Sequence, residues 1–85
     1  MKILLVEDNE MVAKGLIYTL KQNGYETIHK ANVTQTKEFL NRKDETVNLI
    51  ILDISLPDGN GFILYEEDVK DKNIPTIFLT AKDEE

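Results

Sequence analysis

The chain has 85 residues, 41% of them apolar and 31% charged, with no cysteine and a formal net charge of −6. That length holds one small domain with a thin core, and the composition belongs to a folded chain rather than a disordered one. The acidic balance argues against non-specific binding of this segment to nucleic acid or an anionic membrane, and the lack of cysteine excludes a disulfide framework and thiolate chemistry.

No apolar run approaches the length of a membrane span or of a secretory signal, so the expectation is a cytoplasmic protein with no membrane contact. The first apolar run, Ile3-Leu4-Leu5-Val6, reads as a short strand buried on both faces, and it ends at Glu7-Asp8. Asn9 is a candidate N-cap for a helix over 10–23. Along that helix Val12, Ala13, Leu16, Ile17 and Leu20 form the apolar stripe, Lys14, Lys21 and Gln22 face water, and Asn23-Gly24 ends it. Residues 25–29 alternate in character and predict a less buried strand at a sheet edge. Asn32 followed by Gln35 resembles a capping box, opening a short helix through Phe39-Leu40 that ends within 41–44.

Residues 48–53 predict a second fully buried strand, stopping at Asp53. Pro57-Asp58-Gly59-Asn60-Gly61 is a turn, with Pro57, Gly59 and Gly61 shaping the loop. A helix follows over 62–69, broken by Asn73-Ile74-Pro75. Residues 76–80 predict another buried strand, and 81–85 begin a helix. The acidic run Glu66-Glu67-Asp68 reads as a solvated face.

The order β-α-β-α-β-α-β predicts a parallel sheet with right-handed helical crossovers. The carboxyl ends of parallel strands share one edge, where open α/β sheets bind ligands. Glu7, Asp8 and Asp53 therefore meet if their strands are neighbours, and Thr80 joins them from the far side of the middle strand. Two unit charges about 4 Å apart repel by on the order of 4 kcal/mol at an effective dielectric of roughly 20. Three carboxylates in one crevice need a cation or must take up protons, and no Lys or Arg is placed to serve from a strand end. Hard oxygen ligands that leave room for water suit Mg²⁺, with Mn²⁺ as a substitute. A carboxylate beside such an ion, with a hydroxyl nearby, suits phosphoryl transfer to the carboxylate.

Three blocks of the chain resemble the receiver domain of two-component response regulators: Ile3-Leu4-Leu5-Val6-Glu7-Asp8-Asn9, Asp53-Ile54-Ser55-Leu56-Pro57-Asp58-Gly59-Asn60-Gly61 and Pro75-Thr76-Ile77-Phe78-Leu79-Thr80-Ala81. The resemblance covers the whole chain. It implies a flavodoxin-like fold with strand order 2-1-3-4-5 and helices on both faces. It implies that Asp53 accepts a phosphoryl group from a phosphohistidine of a sensor histidine kinase. Asp8, Asp53 and the Ser55 main-chain carbonyl would bind Mg²⁺ directly and Glu7 through water, with Thr80 as the switch hydroxyl and Ala81 beside it at the phosphoryl group. The output would be transcriptional regulation, through a DNA-binding domain outside this chain.

Several features depart from the family pattern. The family's fifth strand, with its lysine, and its last helix lie beyond the last residue, so 1–85 reads as an incomplete receiver domain. Lys82 does not replace that lysine, and polar Thr36 and Lys37 stand where the family usually has small and apolar residues. With its last strand as an open apolar edge, the chain is expected to self-associate.

Other readings are weaker. His29 has no partner motif and reads as a surface strand residue, and Tyr18, Tyr25 and Tyr65 as packing residues. The turn glycines lack the phosphate-loop pattern, and Asp58-Gly59-Asn60 lacks the ligand spacing of a calcium loop. A phosphatase of the haloacid dehalogenase type would need an acid where Ser55 stands. A receiver-like interaction module that is never phosphorylated is the remaining alternative.

Overall fold

In the computed structural model, which describes residues 1–42 and 44–79, the first apolar run forms strand β1 (Lys2–Val6), buried from Ile3 onward. Helix α1 (Glu10–Gln22) starts where the Asn9 side chain accepts the Val12 amide at 3.1 Å, so the capping residue read from the sequence does close the first turn. It ends at Asn23, and Gly24 takes the left-handed conformation (φ 86°) that favours glycine. Strand β2 (Glu26–Lys30) is only half-buried.

Helix α2 (Val33–Leu40) has Asn32 as its N-cap, accepting the Gln35 amide at 2.8 Å. The Gln35 side chain reaches back to the Ala31 amide at 2.9 Å, one residue earlier than a standard capping box. Thr36, polar at a core position, is buried with its hydroxyl donating to the Asn32 carbonyl at 2.8 Å, so it brings no unpaired donor into the core.

Strand β3 (Leu49–Asp53) is, with β1, one of the two inner strands of the sheet. Strands β4 (Ser55–Leu56) and β5 (Gly59–Asn60) then pair antiparallel as a small hairpin, where the sequence reading had only a turn. Helix α3 (Gly61–Leu64) begins one residue earlier than expected, because the Asn60 side chain caps it by accepting the Phe62 and Ile63 amides. It does not run as one regular helix: Tyr65–Val69 widens to a π-turn and Lys70–Lys72 tightens to 3₁₀. Asn73, in the left-handed conformation (φ 58°), stops it. Strand β6 (Thr76–Leu79) completes the described residues.

The main sheet is parallel with order β2-β1-β3-β6, the flavodoxin-like order expected for the long strands. On one face Leu4, Val6, Ile50 and Leu52 pack with Phe39 and Leu40 of α2 and Leu64 and Val69 of the third helical segment. On the other, Ile3, Leu5 and Ile51 pack under α1 through Ala13, Leu16, Ile17 and Leu20.

One expectation about burial fails. Val12 lies outside the buried stripe at 44% exposure, because α1 meets the sheet through its small Ala13, which turns Val12 away. Ile77, in the strand read both as buried and as an open apolar edge, is 51% exposed, since β6 has a strand neighbour on one side only among the described residues. The acidic run is also not wholly solvated: Lys37 reaches across from α2 to Glu67 and Asp68 at 3.1 Å each. That pairing holds the Lys37 amine above its ordinary range, chiefly through Asp68, and gives this polar residue of α2 a place between two elements.

Candidate functional site

The sheet register brings the acids together. Val6 of β1 lies beside Leu52 of β3, so the residues that follow them, Glu7 just past β1 and Asp53 at the end of β3, come side by side at the carboxyl edge of the sheet. Carboxylate oxygens of Glu7, Asp8 and Asp53 all lie within 4.8 Å of one another. Glu7 is 6% exposed and Asp53 8%, while Asp8 is open to water. None of the ion pairs among the described residues reaches these three acids.

Each buried acid has a local main-chain donor. The Asn9 amide donates to Glu7 Oε2 at 3.0 Å, and the Ser55 amide donates to Asp53 Oδ1 at 3.1 Å. The Glu7 carboxyl is nevertheless held above its ordinary value of 4.5: burial raises it most, the Asn9 amide opposes this, and the charges of Asp53 and Asp8 add to the rise. Even at the 4.8 Å outer limit of the cluster, two unit charges repel by on the order of 3 kcal/mol at an effective dielectric of roughly 20. A cluster of hard oxygen donors with uncompensated charge, two of them sunk below the surface, fits a divalent cation such as Mg²⁺.

The remaining residues singled out in the sequence fall around this cluster. Ser55 is exposed and opens the hairpin that follows Asp53. Pro57 lies in the exposed turn between β4 and β5. Gly61 is buried, and a Cβ there would collide with the Asp53 carbonyl oxygen, so only glycine lets the chain pass behind the acid. Its amide donates to the Ile54 carbonyl at 2.8 Å, closing the base of the hairpin. Gly59 lies against α2, where a Cβ would approach Val33 Cγ2 to 2.9 Å. Thr80, Ala81 and Lys82 lie outside the described residues.

Two residues not assigned to the site by the sequence reading are connected to it. His29, read only as a surface residue of the second strand, donates through Nε2 to the Glu7 carbonyl at 2.7 Å. Asp58, read only as a turn former, binds the start of α2 through both carboxylate oxygens. Neither contact has a signal in the sequence, because each joins elements more than 20 residues apart.

Known proteins with similar sequences and structures agree with this geometry. The family model of the response regulator receiver domain matches residues 3–85. Among curated relatives, the transcriptional regulatory protein VxrB of Vibrio cholerae is 39% identical over 79 residues, covering 93% of this chain and 31% of that protein. The aerobic respiration control protein ArcA of Escherichia coli is 32% identical, covering 98% of this chain and 34% of that protein. Among solved structures, the non-phosphorylated HemR receiver domain from Leptospira biflexa superposes with a TM-score of 0.82 at 40% identity, over 99% of this chain and 67% of that one. The chain thus spans about a third of the length of these curated relatives.

Proposed function

The chain belongs to the response regulator receiver domain family, whose members are regulatory signalling domains rather than enzymes in the usual sense, and we propose that Asp53 is its phosphoacceptor. The observation that carries this reading is the meeting of the Glu7, Asp8 and Asp53 carboxylates at the end of the central strand pair. Receiver domains bind Mg²⁺ at an acidic pocket, and this cluster is compatible with one. Asp8, Asp53 and the Ser55 carbonyl would hold the ion directly and Glu7 through water. When bound, the ion neutralises phosphoryl oxygens.

In the proposed reaction an Asp53 carboxylate oxygen attacks the phosphorus of a phosphohistidine on a sensor kinase. The new P–O bond forms as the P–N bond breaks, and its electron pair stays on the imidazole nitrogen, which takes a proton. The Ser55 amide on Oδ1 fixes the orientation of the carboxylate, and β3 supplies a stiff mount. Thr80 and Ala81 would contact the transferred group. They follow Leu79, the register partner of Asp53, in sequence.

VxrB is by name a regulator of transcription and ArcA a control protein of aerobic respiration, which supports an output through a DNA-binding domain outside this stretch. The portion of the HemR receiver domain that this chain does not cover supports placing the fifth strand, its lysine and the last helix beyond residue 85. No helix among the described residues is long and apolar enough to cross a membrane; a cytoplasmic location follows from the proposed regulatory role. The half-exposed Ile77 on β6 supports self-association of the isolated 85-residue chain through that edge.

The test uses the full-length protein with Mg²⁺ and an acyl phosphate donor. The intact mass should rise by one phosphoryl group, and Asp53→Asn should abolish the gain because an amide is not a competent nucleophile. A gain that persists in Asp53→Asn and maps to a Ser or Thr rejects the assignment. No gain with either an acyl phosphate or a phosphorylated kinase favours the interaction module.

A further inference from the structure

The hairpin β4–β5 carries Ser55, whose amide holds the Asp53 carboxylate, so its placement matters to the site. Its base is closed by the Gly61 amide on the Ile54 carbonyl. At the tip, Asp58 Oδ1 accepts the Val33 amide at 2.7 Å, and Oδ2 accepts both the Thr34 amide at 3.0 Å and the Thr34 hydroxyl at 2.9 Å. Beside it, Gly59 is close enough to Val33 that a Cβ would crowd its side chain. The tip of the hairpin is therefore clamped onto the first turn of a helix that precedes it by 24 and 25 residues in sequence.

We propose that Asp58 is a positioning residue for the Asp53 site, holding the Ser55 main chain in place by pinning the hairpin to the start of α2. The proposal rests on the reading of Asp53 as phosphoacceptor and of the acid cluster as a metal site. A plain helix-capping role explains the same bonds less well. Helix α2 already has its own cap, with Asn32 accepting the Gln35 amide and Gln35 accepting the Ala31 amide. Asp58 takes the amides of Val33 and Thr34, which that cap leaves free, and brings the loop after Asp53 with it. Those amides also hold the Asp58 carboxyl below its ordinary range, so the clamp acts with a charged acceptor.

The two roles separate by comparing Asp58→Ala with Asn32→Ala in the intact protein, by amide hydrogen exchange without metal and by calorimetric titration with MgCl₂. Both substitutions weaken the start of α2, but only the first frees the hairpin. Positioning predicts that Ser55 exchanges about tenfold faster in Asp58→Ala, as expected for a locally opened segment. Loss of an outer partner of this kind predicts Mg²⁺ binding about tenfold weaker. Asn32→Ala should change neither quantity. Asp58→Asn keeps one acceptor oxygen and should recover part of both, and it carries the comparison if Asp58→Ala does not fold. Unchanged Ser55 exchange in the Asp58 variants, or equal acceleration in Asn32→Ala, overturns the proposal. Failure of the unsubstituted protein to bind Mg²⁺ overturns the functional reading instead, and the metal-free exchange comparison still decides the role of Asp58.

Discussion

The Glu7 main-chain carbonyl accepts a hydrogen bond from His29 Nε2 at 2.7 Å, tying the exposed side chain of one strand to the backbone at the buried acid of its neighbour. The Glu7 amide in turn donates to the Lys30 carbonyl at 3.0 Å, so the peptide groups on both sides of Glu7 are held by β2. His29→Ala should cost about 1 kcal/mol, the net worth of one such bond. Urea denaturation with an unchanged slope checks the stability term. Calorimetry with MgCl₂ should show weaker binding in the same variant, because the main chain that carries Glu7 is less constrained.

Glu7 should make stability without metal and affinity for Mg²⁺ respond to pH in opposite senses. Burial, followed by the charges of Asp53 and Asp8, raises the Glu7 carboxyl above 4.5, so the folded state binds more protons than the unfolded one between that value and the raised one. Without metal, stability should fall as pH rises through this window. With Mg²⁺, affinity should rise through the same window as Glu7 ionises. Glu7→Gln removes the repulsion and should raise the melting temperature of the metal-free protein at neutral pH, with a gain of up to about 3 kcal/mol. A melting temperature that drops in Glu7→Gln without metal would show that Glu7 has a compensating partner.

Asp58 should govern an acid-side loss of stability. Its carboxyl is lowered from 3.8, first by the Val33 amide and then by Thr34, and each of these bonds is made by the ionised form. Its contribution is therefore complete above the ordinary value and is lost as pH falls through the lowered one. Thermal melts from neutral to strongly acid pH should show a shallower acid limb in Asp58→Asn than in the unsubstituted protein. Equal limbs would show that other carboxylates carry the whole acid transition.

Gly61→Ala should be among the most damaging small substitutions in the loop. The added methyl meets the Asp53 carbonyl oxygen and Ile54 Cα, which are backbone atoms that cannot swing aside. Overpacking of this kind costs about 1–3 kcal/mol. Because the nearest of these atoms is the carbonyl oxygen of Asp53 itself, phosphoryl uptake should fall further than stability does. Gly15→Ala, where the added Cβ meets nothing outside the local helix backbone, is the matched control and should leave both intact.

Much of the fold was legible along the chain because its signals are local. Apolar runs at 3–6 and 49–52 mark buried strands wherever they end up, and Asn9 and Asn32 cap helices through amides three residues away. The meeting of Glu7, Asp8 and Asp53 was also legible, since parallel strands deliver their carboxyl ends to one edge. Thr80 and Ala81, read as the switch side of the site, lie outside the described residues.

What the sequence by itself determined, then, was the order of strands and helices and the edge where the acids gather. The tertiary structure alone decided which face of α1 is buried, leaving Val12 in water and Ala13 in the core, and how the third helix widens and tightens after Leu64. It also decided that His29 holds Glu7, that Asp58 holds α2, and that Gly61 passes behind Asp53. The reason is physical. Periodicity and capping depend on neighbours within a turn or two, whereas these contacts depend on the register and distance between elements far apart in the chain, which packing sets only once the sheet has formed.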